Sequence, residues 1–400
     1  MKFRRMLRCL SFRAAPIIKG CAYFSSFTGM YNDNPRHISE KLHEIAPDIG
    51  IYWAISDDCR ETLPDYIRRV RWGSAAADRL RFSCEAVIDN YLGVSVPCGA
   101  GLFRLARPLV KRSGQLTIST WHGTPLKKIG LDDIGSNSKF YKERQLCSDF
   151  IIAGCRHTAD ILAGASQRTP YPIYLTGTPR NDILVNAVRS DIEGLKNKLG
   201  LPSGKKTVLF APTFRDDAEL SGAAQMRELD IKSLLALFAK RFGGDWVFVF
   251  RTHNLAADAA GIGKCGSCGV IDGNSHEDMA DYLACADALI TDYSSAMFDF
   301  ALTGRPCFLF APDREHYENQ ERGFYFDYDS LPFPHAGTNA GLLDKISSFD
   351  AQEYARGIKE FMRMTGNVED GRASERIARC IERFLRTGEK TLETLTVPAP

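Results

Sequence analysis

Residues Ser119–Gly130 read Ser-Thr-Trp-His-Gly-Thr-Pro-Leu-Lys-Lys-Ile-Gly, and this run decides the fold class that the sequence predicts. An apolar, strand-like segment precedes the run, and a helix-like segment is predicted to follow it. This order places His122 at the carboxyl end of a strand, where open α/β sheets bind their ligands. Gly123 and Thr124 offer backbone N–H groups beside the histidine, and Lys127 is predicted to meet an anionic substrate one turn later.

Strand-like and helix-like runs alternate along most of this 400-residue chain, a pattern typical of parallel sheets with covering helices. The polar stretch 194–206 separates two sets of these runs and predicts a domain boundary. We expect two Rossmann-like α/β domains facing a cleft, over residues 1–195 and 196–385, followed by a flexible tail at 386–400. The predicted strands are Ile17–Phe24, Gly50–Ile55, Ala86–Ile88, Gln115–Thr120, Phe150–Ala153, Ile173–Leu175, Thr207–Ala211, Trp246–Phe250, Gly269–Ile271, Ala288–Thr291 and Cys307–Phe310.

Composition excludes several classes of function. Apolar residues make up 44% of the chain and charged residues 25%, as in ordinary soluble globular proteins. The net charge of +2, with lysine and arginine spread along the chain, gives no sign of a nucleic-acid partner. The 12 cysteines lack the spacing of a zinc site, and no P-loop or G-x-S-x-G elbow occurs. We therefore expect neither a metal nor a cofactor.

The run Asp292–Ser295 forms a second junction between a strand and a helix. Serine hydroxyls and N–H groups at the start of a helix make a ready site for phosphate. We therefore predict that Ser294 and Ser295 bind phosphate groups and that Asp292 belongs to the same site by ordering the loop. The alternative is that Ser294 only caps the helix.

The run Arg251–His253 follows another predicted strand and is expected at the same edge of its sheet. Arginine and histidine together stabilise negative charge on a departing phosphate. Arg251 is therefore a candidate phosphate ligand and His253 a candidate catalytic residue. The alternative is a purely structural histidine.

Further candidates for substrate contact lie at other junctions. Thr178 and Arg180 occupy a strand–turn–helix junction, where the alternative is a plain helix start. Arg215 follows a strand of the second half, with a surface salt bridge as its alternative role. Arg322 belongs to a segment in which aromatic and charged residues alternate, and this segment either wraps a nucleoside or simply packs.

Taken together, these motifs resemble the CDP-glycerol glycerophosphotransferases, enzymes that build teichoic-acid-type polymers. The resemblance extends from about Cys21 to Phe384, and its motifs occur in the order of that family. The matching segments are Tyr23–Phe27, Tyr31–Arg36, Ser119–Gly130, Thr176–Asn181, Ala211–Asp216, Arg251–His253, Asp292–Ser295 and Arg322–Asp327.

The resemblance implies two Rossmann-like domains of the glycosyltransferase B type. It also implies transfer of glycerol phosphate or ribitol phosphate from a CDP-alditol to a hydroxyl of a lipid-linked or polymeric acceptor, with release of CMP. On this basis His122 is the general base on the acceptor side. His253 and Arg251 support the donor pyrophosphate, and Ser294 and Ser295 bind its phosphates. The N-terminal domain is then the acceptor side, and the C-terminal domain binds the donor without a metal.

Alternative functions stay open at this point. A nucleotide-sugar glycosyltransferase of the same fold is one, because a fold does not fix a function. A non-catalytic relative is another, although His122 and His253 are both present. The basic segment Met1–Arg13 is either a solvated start or a weak anchor on an anionic membrane surface. We expect a cytoplasmic protein, peripheral at the inner face of the membrane. The choice between glycerol and ribitol, and between one added unit and a polymer, is left open.

Overall fold

The computed structural model describes Phe12 and residues 15–90, 112–133, 148–165, 173–187, 191–213, 222–252, 269–317 and 323–397. The chain divides into two compact units. Unit 1 comprises Met1–Thr124, Ile129–Asp182 and Thr365–Pro400, and unit 2 comprises Pro125–Lys128 and Ile183–Met364.

Within these ranges the strands carry the two units. They are β1 (Ile18–Ser25), β2 (Gly50–Ile55), β3 (Ile67–Arg71), β4 (Cys84–Asp89), β5 (Leu116–Ser119), β6 (Phe150–Ala153), β7 (Ile173–Leu175), β8 (Lys206–Phe210), β9 (Trp246–Phe250), β10 (Val270–Asp272), β11 (Ala288–Thr291), β12 (Cys307–Phe310) and β13 (His335–Ala336).

The helices alternate with the strands along the chain. They are α1 (Asp33–Ile45), α2 (Ala75–Ser83), α3 (Arg156–Ala165), α4 (Asp182–Val185), α5 (Ile192–Lys198), α6 (Gly222–Glu228), α7 (Ile231–Phe242), α8 (Met279–Cys285), α9 (Ala296–Ala301), α10 (Arg314–His316), α11 (Asn339–Ser347), α12 (Ala351–Thr365) and α13 (Ala373–Thr387). Short 3-10 turns lie at Phe27–Gly29, Gly130–Asp132, Pro179–Asn181 and Tyr328–Ser330.

Each unit is a Rossmann-like domain built on one parallel sheet. The sheet of unit 1 has the order β3-β2-β1-β4-β5-β6-β7, and that of unit 2 has the order β10-β9-β8-β11-β12-β13. The strand order reverses between β1 and β4 in unit 1 and between β8 and β11 in unit 2. In open α/β sheets, ligands bind beyond the carboxyl ends of the strands at such a reversal point. The topology alone therefore marks two places to search for a site.

The central strands are continuous apolar runs because both faces of each sheet are covered. All residues of β9 and of β12 are buried, as expected for parallel strands with helices on each side. In unit 1, Phe24 of β1 and Trp53 of β2 pack in one core with Ile381 and Phe384 of α13. The C-terminal helix thus completes the core of unit 1.

Of the four edge strands in the described sheets, β3 and β13 were not predicted from the sequence. Strand β3 reads Ile-Arg-Arg-Val-Arg, and most of its side chains are exposed at the edge of the sheet. Strand β13 has only two residues. Neither strand carries the apolar run that predicted the others, because an edge strand needs fewer apolar side chains than a central one.

The helix predicted after Gly123 is wrong. Residues 121–129 contain no helix. Instead Lys127 forms an isolated antiparallel bridge with Phe324, and the Lys128 N–H donates to the carbonyl of Gly323 at 2.8 Å. This segment is therefore paired with another segment of unit 2 and does not form a helical turn. Lys127 consequently does not lie one helical turn beyond His122.

The predicted division between 195 and 196 also differs from the structure. Unit 2 begins at Ile183, and the chain returns to unit 1 at Thr365. The return is fixed at α13, because the N–H groups of Ala373 and Ser374 donate to the Asp182 carboxylate at 2.9 and 2.7 Å. The local sequence pattern cannot predict hydrogen bonds between residues so far apart in the chain.

The predicted flexible tail is packed against unit 1 as far as residue 397. Leu392 is buried, and the Leu395 N–H donates to the carbonyl of Leu175 at 2.6 Å. Lys390 Nζ contacts the Asp149 carboxylate at 3.0 Å. Across the residues that the structure describes, no helix combines the length and apolar character needed to cross a membrane.

Candidate functional site

In unit 1 the chain places His122 three residues beyond the end of β5, at the carboxyl edge of the sheet. The ring nitrogen Nδ1 lies 3.2 Å from the carbonyl oxygen of Asn90, the residue that follows β4. A carbonyl oxygen only accepts hydrogen bonds, so Nδ1 must carry the hydrogen. In the neutral ring the lone pair then resides on Nε2, and Nε2 is the nitrogen able to accept a proton.

The residues on either side of His122 fix its ring. The Trp121 ring stacks on the imidazole with centroids 3.9 Å apart, and its Nε1–H donates to the carbonyl of Gly123 at 2.7 Å. Trp121 has φ +52°, a left-handed conformation that costs energy for a bulky residue. Such conformations persist where the surroundings enforce them, often at functional sites.

A hydrogen-bond network built by Asp33 and Asn34 supports this segment. Asp33 accepts from Asn90 Nδ2 at 2.5 Å and from Arg180 Nη1 at 2.9 Å. Asn34 Nδ2 donates to the carbonyl of Trp121 at 2.9 Å, and its Oδ1 accepts from the Arg180 N–H at 3.0 Å. Asp33 also has a positive φ of +59°. The network joins the ends of β1, β4 and β5, so it lies at the reversal point of the sheet.

Asn90 was missed by sequence reasoning. It is buried, and its Nδ2 donates to Ser26 as well as to Asp33. The available signal was its place directly after a buried strand next to the reversal point. Asp33 and Asn34 were part of a matching motif, but the sequence assigned them no role.

The remaining unit 1 candidates are engaged by protein groups. Arg180 pairs with Asp33, which gives it a supporting place in the network. Thr178 is buried, and its N–H donates to Glu369 Oε2 at 2.8 Å. These contacts favour a structural role for Thr178 over direct substrate contact. Thr178 precedes the 3-10 turn that starts at Pro179, as the helix-start alternative predicted. Thr124 Oγ1 accepts from Thr158 at 3.3 Å.

In unit 2, Asp292 joins the ends of β8 and β11. It is fully buried, and its Oδ1 accepts from the N–H and hydroxyl of Thr213 at 2.8 and 2.7 Å. It also accepts from the Tyr293 N–H at 2.5 Å. A buried carboxylate with these partners holds the loop and does not itself bind phosphate. The loop therefore lies at the reversal point of the second sheet.

Ser294 and Ser295 follow Asp292 and are half-buried. Ser294 Oγ accepts from the Ala296 N–H at 3.3 Å, while Ser295 makes no side-chain cap bond. The helix α9 that they precede has only six residues. Its dipole is therefore weaker than the sequence suggested, and any phosphate affinity rests on the hydroxyls and the loop N–H groups.

Arg251 is held by backbone carbonyls of unit 2. Its guanidinium is buried and donates to the carbonyls of Gly273, His276 and Glu277 at 2.5 to 2.8 Å. The group also lies 4.8 Å from the centroid of the Tyr282 ring. Burial lowers the pKa of Arg251, but three carbonyls and an aromatic face compensate the charge. In this structure Arg251 therefore holds the loop after β10, and its contact with donor phosphate stays a prediction.

Three predicted residues, His253, Arg215 and Arg322, lie outside the described residues. The segment that leads to His253 is anchored, because the N–H and hydroxyl of Thr252 both donate to Asn274 Oδ1. Lys127 belongs to unit 2, where its Nζ lies 5.1 Å from the centroid of the Tyr317 ring. The candidates thus fall into two groups, one in each unit.

Comparison with known proteins finds a family match over most of the chain. The sequence model of the family described as CDP-Glycerol:Poly(glycerophosphate) glycerophosphotransferase matches residues 7–383. The teichoic acid poly(glycerol phosphate) polymerase of Staphylococcus epidermidis is 30% identical over 378 residues, which cover 91% of this chain and 50% of that protein. The teichoic acid glycerol-phosphate transferase of Staphylococcus aureus is 31% identical over 387 residues, which cover 91% of this chain and 93% of that protein.

A solved structure with a similar fold extends the comparison. The wall teichoic acid polymerase TagF superposes with a TM-score of 0.77 at 27% identity, covering 96% of this chain and 95% of that chain. This chain spans about half the length of the Staphylococcus epidermidis polymerase and of its Bacillus subtilis counterpart.

Proposed function

Since this chain belongs to the CDP-Glycerol:Poly(glycerophosphate) glycerophosphotransferase family, we propose that it transfers an alditol phosphate from a CDP-alditol to a hydroxyl of an acceptor. The acceptor oxygen attacks the β-phosphorus of the donor, and a new phosphodiester bond forms. The bond from that phosphorus to the bridging oxygen breaks, and CMP leaves. Glycerol phosphate is the first unit to test, because the two similar proteins from Staphylococcus carry it in their names.

The setting of His122 is the observation that carries the proposal. The Asn90 carbonyl holds the hydrogen on Nδ1, so Nε2 is the atom that accepts the proton of the acceptor hydroxyl. A histidine base suits a hydroxyl whose own pKa is far above neutrality, because imidazole titrates near physiological pH. The Trp121 stack and the Asn34 contact keep the ring from rotating away from this orientation.

The donor is assigned to unit 2. The hydroxyls of Ser294 and Ser295, held at the reversal point by Asp292, are proposed to bind the donor phosphates. Hydrogen bonds to charged phosphate oxygens are stronger than those between neutral groups, so the two hydroxyls contribute substantially to the affinity for the donor. His253 is proposed to assist on the donor side, on the sequence resemblance alone.

The acceptor is proposed to be a lipid-linked or polymeric chain that ends in a hydroxyl, in the synthesis of a teichoic-acid-like polymer. Such an acceptor would bring the protein to the inner face of the cell membrane, with the basic segment 1–13 as a contact for anionic lipid. Because this chain spans about half of some polymerases, the length of the product is a property to be measured rather than transferred from them.

Donor binding provides a direct test of the proposal. We expect calorimetric titration to show that CDP-glycerol or CDP-ribitol binds at least about 10-fold more tightly than UDP-N-acetylglucosamine, a difference of about 1.4 kcal/mol. CMP serves as a control for the nucleotide part shared by both CDP-alditols. Tighter binding of the UDP-sugar would contradict the proposal and favour a glycosyltransferase of the same fold.

A further inference from the structure

Glu369 reaches inward from the segment between α12 and α13 and contacts the turn that contains Arg180. Its Oε2 accepts from the Thr178 N–H at 2.8 Å, and its Oε1 accepts from Asn181 Nδ2 at 3.2 Å. The residue as a whole is half-buried, and its carboxyl group is the enclosed end. The two contacts bracket Arg180 on both sides.

Two glycines make room for this carboxyl group. A Cβ added to Gly154 would lie 2.1 Å from Glu369 Oε1, and one added to Gly177 would lie 3.1 Å from Oε2. Gly177 also has φ +80°, which other residues rarely adopt. Any side chain at Gly154 would displace the carboxyl group, so the close approach depends on the absence of a side chain there.

The turn held by Glu369 is connected to His122 through hydrogen bonds among residues of unit 1. Arg180 donates from its N–H to Asn34 and from its guanidinium to Asp33. Asp33 accepts from Asn90, whose carbonyl oxygen faces His122 Nδ1. Each of these hydrogen bonds is at most 3.2 Å long. A displacement of the turn would therefore change the position of the His122 ring.

We propose that Glu369 is a positioning residue that holds the Thr178–Asn181 turn and, through Arg180 and Asp33, the orientation of the His122 ring. The inference rests on the proposed function of His122 as the base. Glu369 is not proposed to contact the donor or the acceptor. It acts only by fixing the position of the hydrogen-bond network that supports His122.

The titration of Glu369 makes this role measurable as a pH dependence. Burial of the carboxyl group, together with the nearby Asp182 carboxylate, raises the pKa of Glu369 to about 8, although the hydrogen bonds from Thr178 and Asn181 act in the opposite direction. The other groups that face this region are the Cys155 thiol, His37 beside Asp182, and the Arg376–Asp370 ion pair on the following segment. Glu369 is therefore mainly protonated below about pH 8.

The direction of the effect on folding follows from the raised pKa. The folded state binds the proton more tightly than the unfolded chain does, so the contribution of Glu369 to stability is fully present below the ordinary pKa of a glutamate. It is lost as the pH rises through about 8. Above that pH an ionised carboxylate faces Asp182, and we expect the turn to loosen and turnover to fall.

The test compares Glu369→Gln and Glu369→Ala with the control Glu389→Gln, an exposed residue of the same unit. Glutamine has the size of the protonated carboxyl group and an oxygen to accept the Thr178 N–H. The profile of kcat against pH is measured from pH 6 to 10, together with the donor KM. Amide hydrogen exchange is followed for peptides covering residues 119–124 and 173–182.

We expect Glu369→Ala to lower kcat by roughly 10- to 100-fold with the donor KM within about twofold, as misplacement of a catalytic group does. We expect Glu369→Gln to keep most of the turnover but to lack the fall above about pH 8 that the wild type shows. Exchange in both peptides should be faster in Glu369→Ala than in the control.

Two results overturn the inference. One is a wild-type alkaline fall that Glu369→Gln retains unchanged. The other is equal exchange of residues 119–124 in Glu369→Ala and the control, which would show that the turn does not position the histidine segment. If the wild type releases no CMP from either CDP-alditol, the proposed function fails instead, and the exchange measurement still decides the role of Glu369.

Discussion

Replacing His122 by alanine is expected to lower kcat for acceptor-dependent CMP release by about 10²- to 10⁴-fold, the usual contribution of a positioned general base. The Nε2 atom, whose lone pair is set by the Nδ1 contact with Asn90, is the proton acceptor that the variant lacks. The Kd of the donor should stay within about twofold, because donor binding is assigned to unit 2. Steady-state kinetics and calorimetry on the same preparation measure both quantities.

A matched control is available on the same unit. His43 lies on α1, where its ring stacks on Tyr66 with centroids 3.7 Å apart, and it has no place in the network around His122. His43→Ala should therefore leave kcat close to the wild-type value. Substantial turnover by His122→Ala with a natural acceptor would show that another group removes the proton.

The double variant Ser294→Ala, Ser295→Ala is expected to raise the Kd of the CDP-alditol by roughly 100-fold or more. Each hydroxyl removed deletes a hydrogen bond to a charged phosphate oxygen, worth about 1.5–3 kcal/mol. Turnover at limiting donor concentration should fall at least as much. Some loss of stability is also expected, because Ser294 Oγ accepts from the Ala296 N–H at 3.3 Å. Binding is therefore measured well below the unfolding transition.

The chain contains a second serine pair that serves as a control. Ser347 and Ser348 are exposed at the end of α11 in the same unit, and Ser348 Oγ donates to the carbonyl of Asp344. Ser347→Ala, Ser348→Ala should bind donor as the wild type does. Normal donor binding by the Ser294, Ser295 variant would refute the assignment of the phosphate site.

Much of the architecture could be predicted because buried parallel strands are continuous apolar runs. Strands β2, β6, β9 and β11, for example, begin and end where the sequence predicted. The edge strand β3 was not predicted, since its three arginines are exposed and interrupt the apolar run. The return of α13 to unit 1 could not be predicted either, because it depends on contacts across some 190 residues of sequence with Asp182.

The site was predictable in its motifs but not in its contacts. A histidine after a buried strand marked His122, and paired serines marked the loop after β11. Asn90 and Glu369 were missed because each acts through a partner that is distant in sequence. The carbonyl contacts of Arg251 were missed for a related reason. An arginine at a strand end is equally suited to bind phosphate or backbone carbonyls, and only burial distinguishes the two.

The central claim is that this chain transfers an alditol phosphate with release of CMP. The most direct measurement is CMP release by the purified full chain from CDP-glycerol and from CDP-ribitol, with and without a lipid-linked hydroxyl acceptor. A UDP-sugar panel and the His122→Ala variant are measured in parallel. We predict acceptor-dependent CMP release from one of the two CDP-alditols and its near-complete loss in the variant. Release of UDP from a UDP-sugar under the same conditions, with none of CMP, would contradict the account.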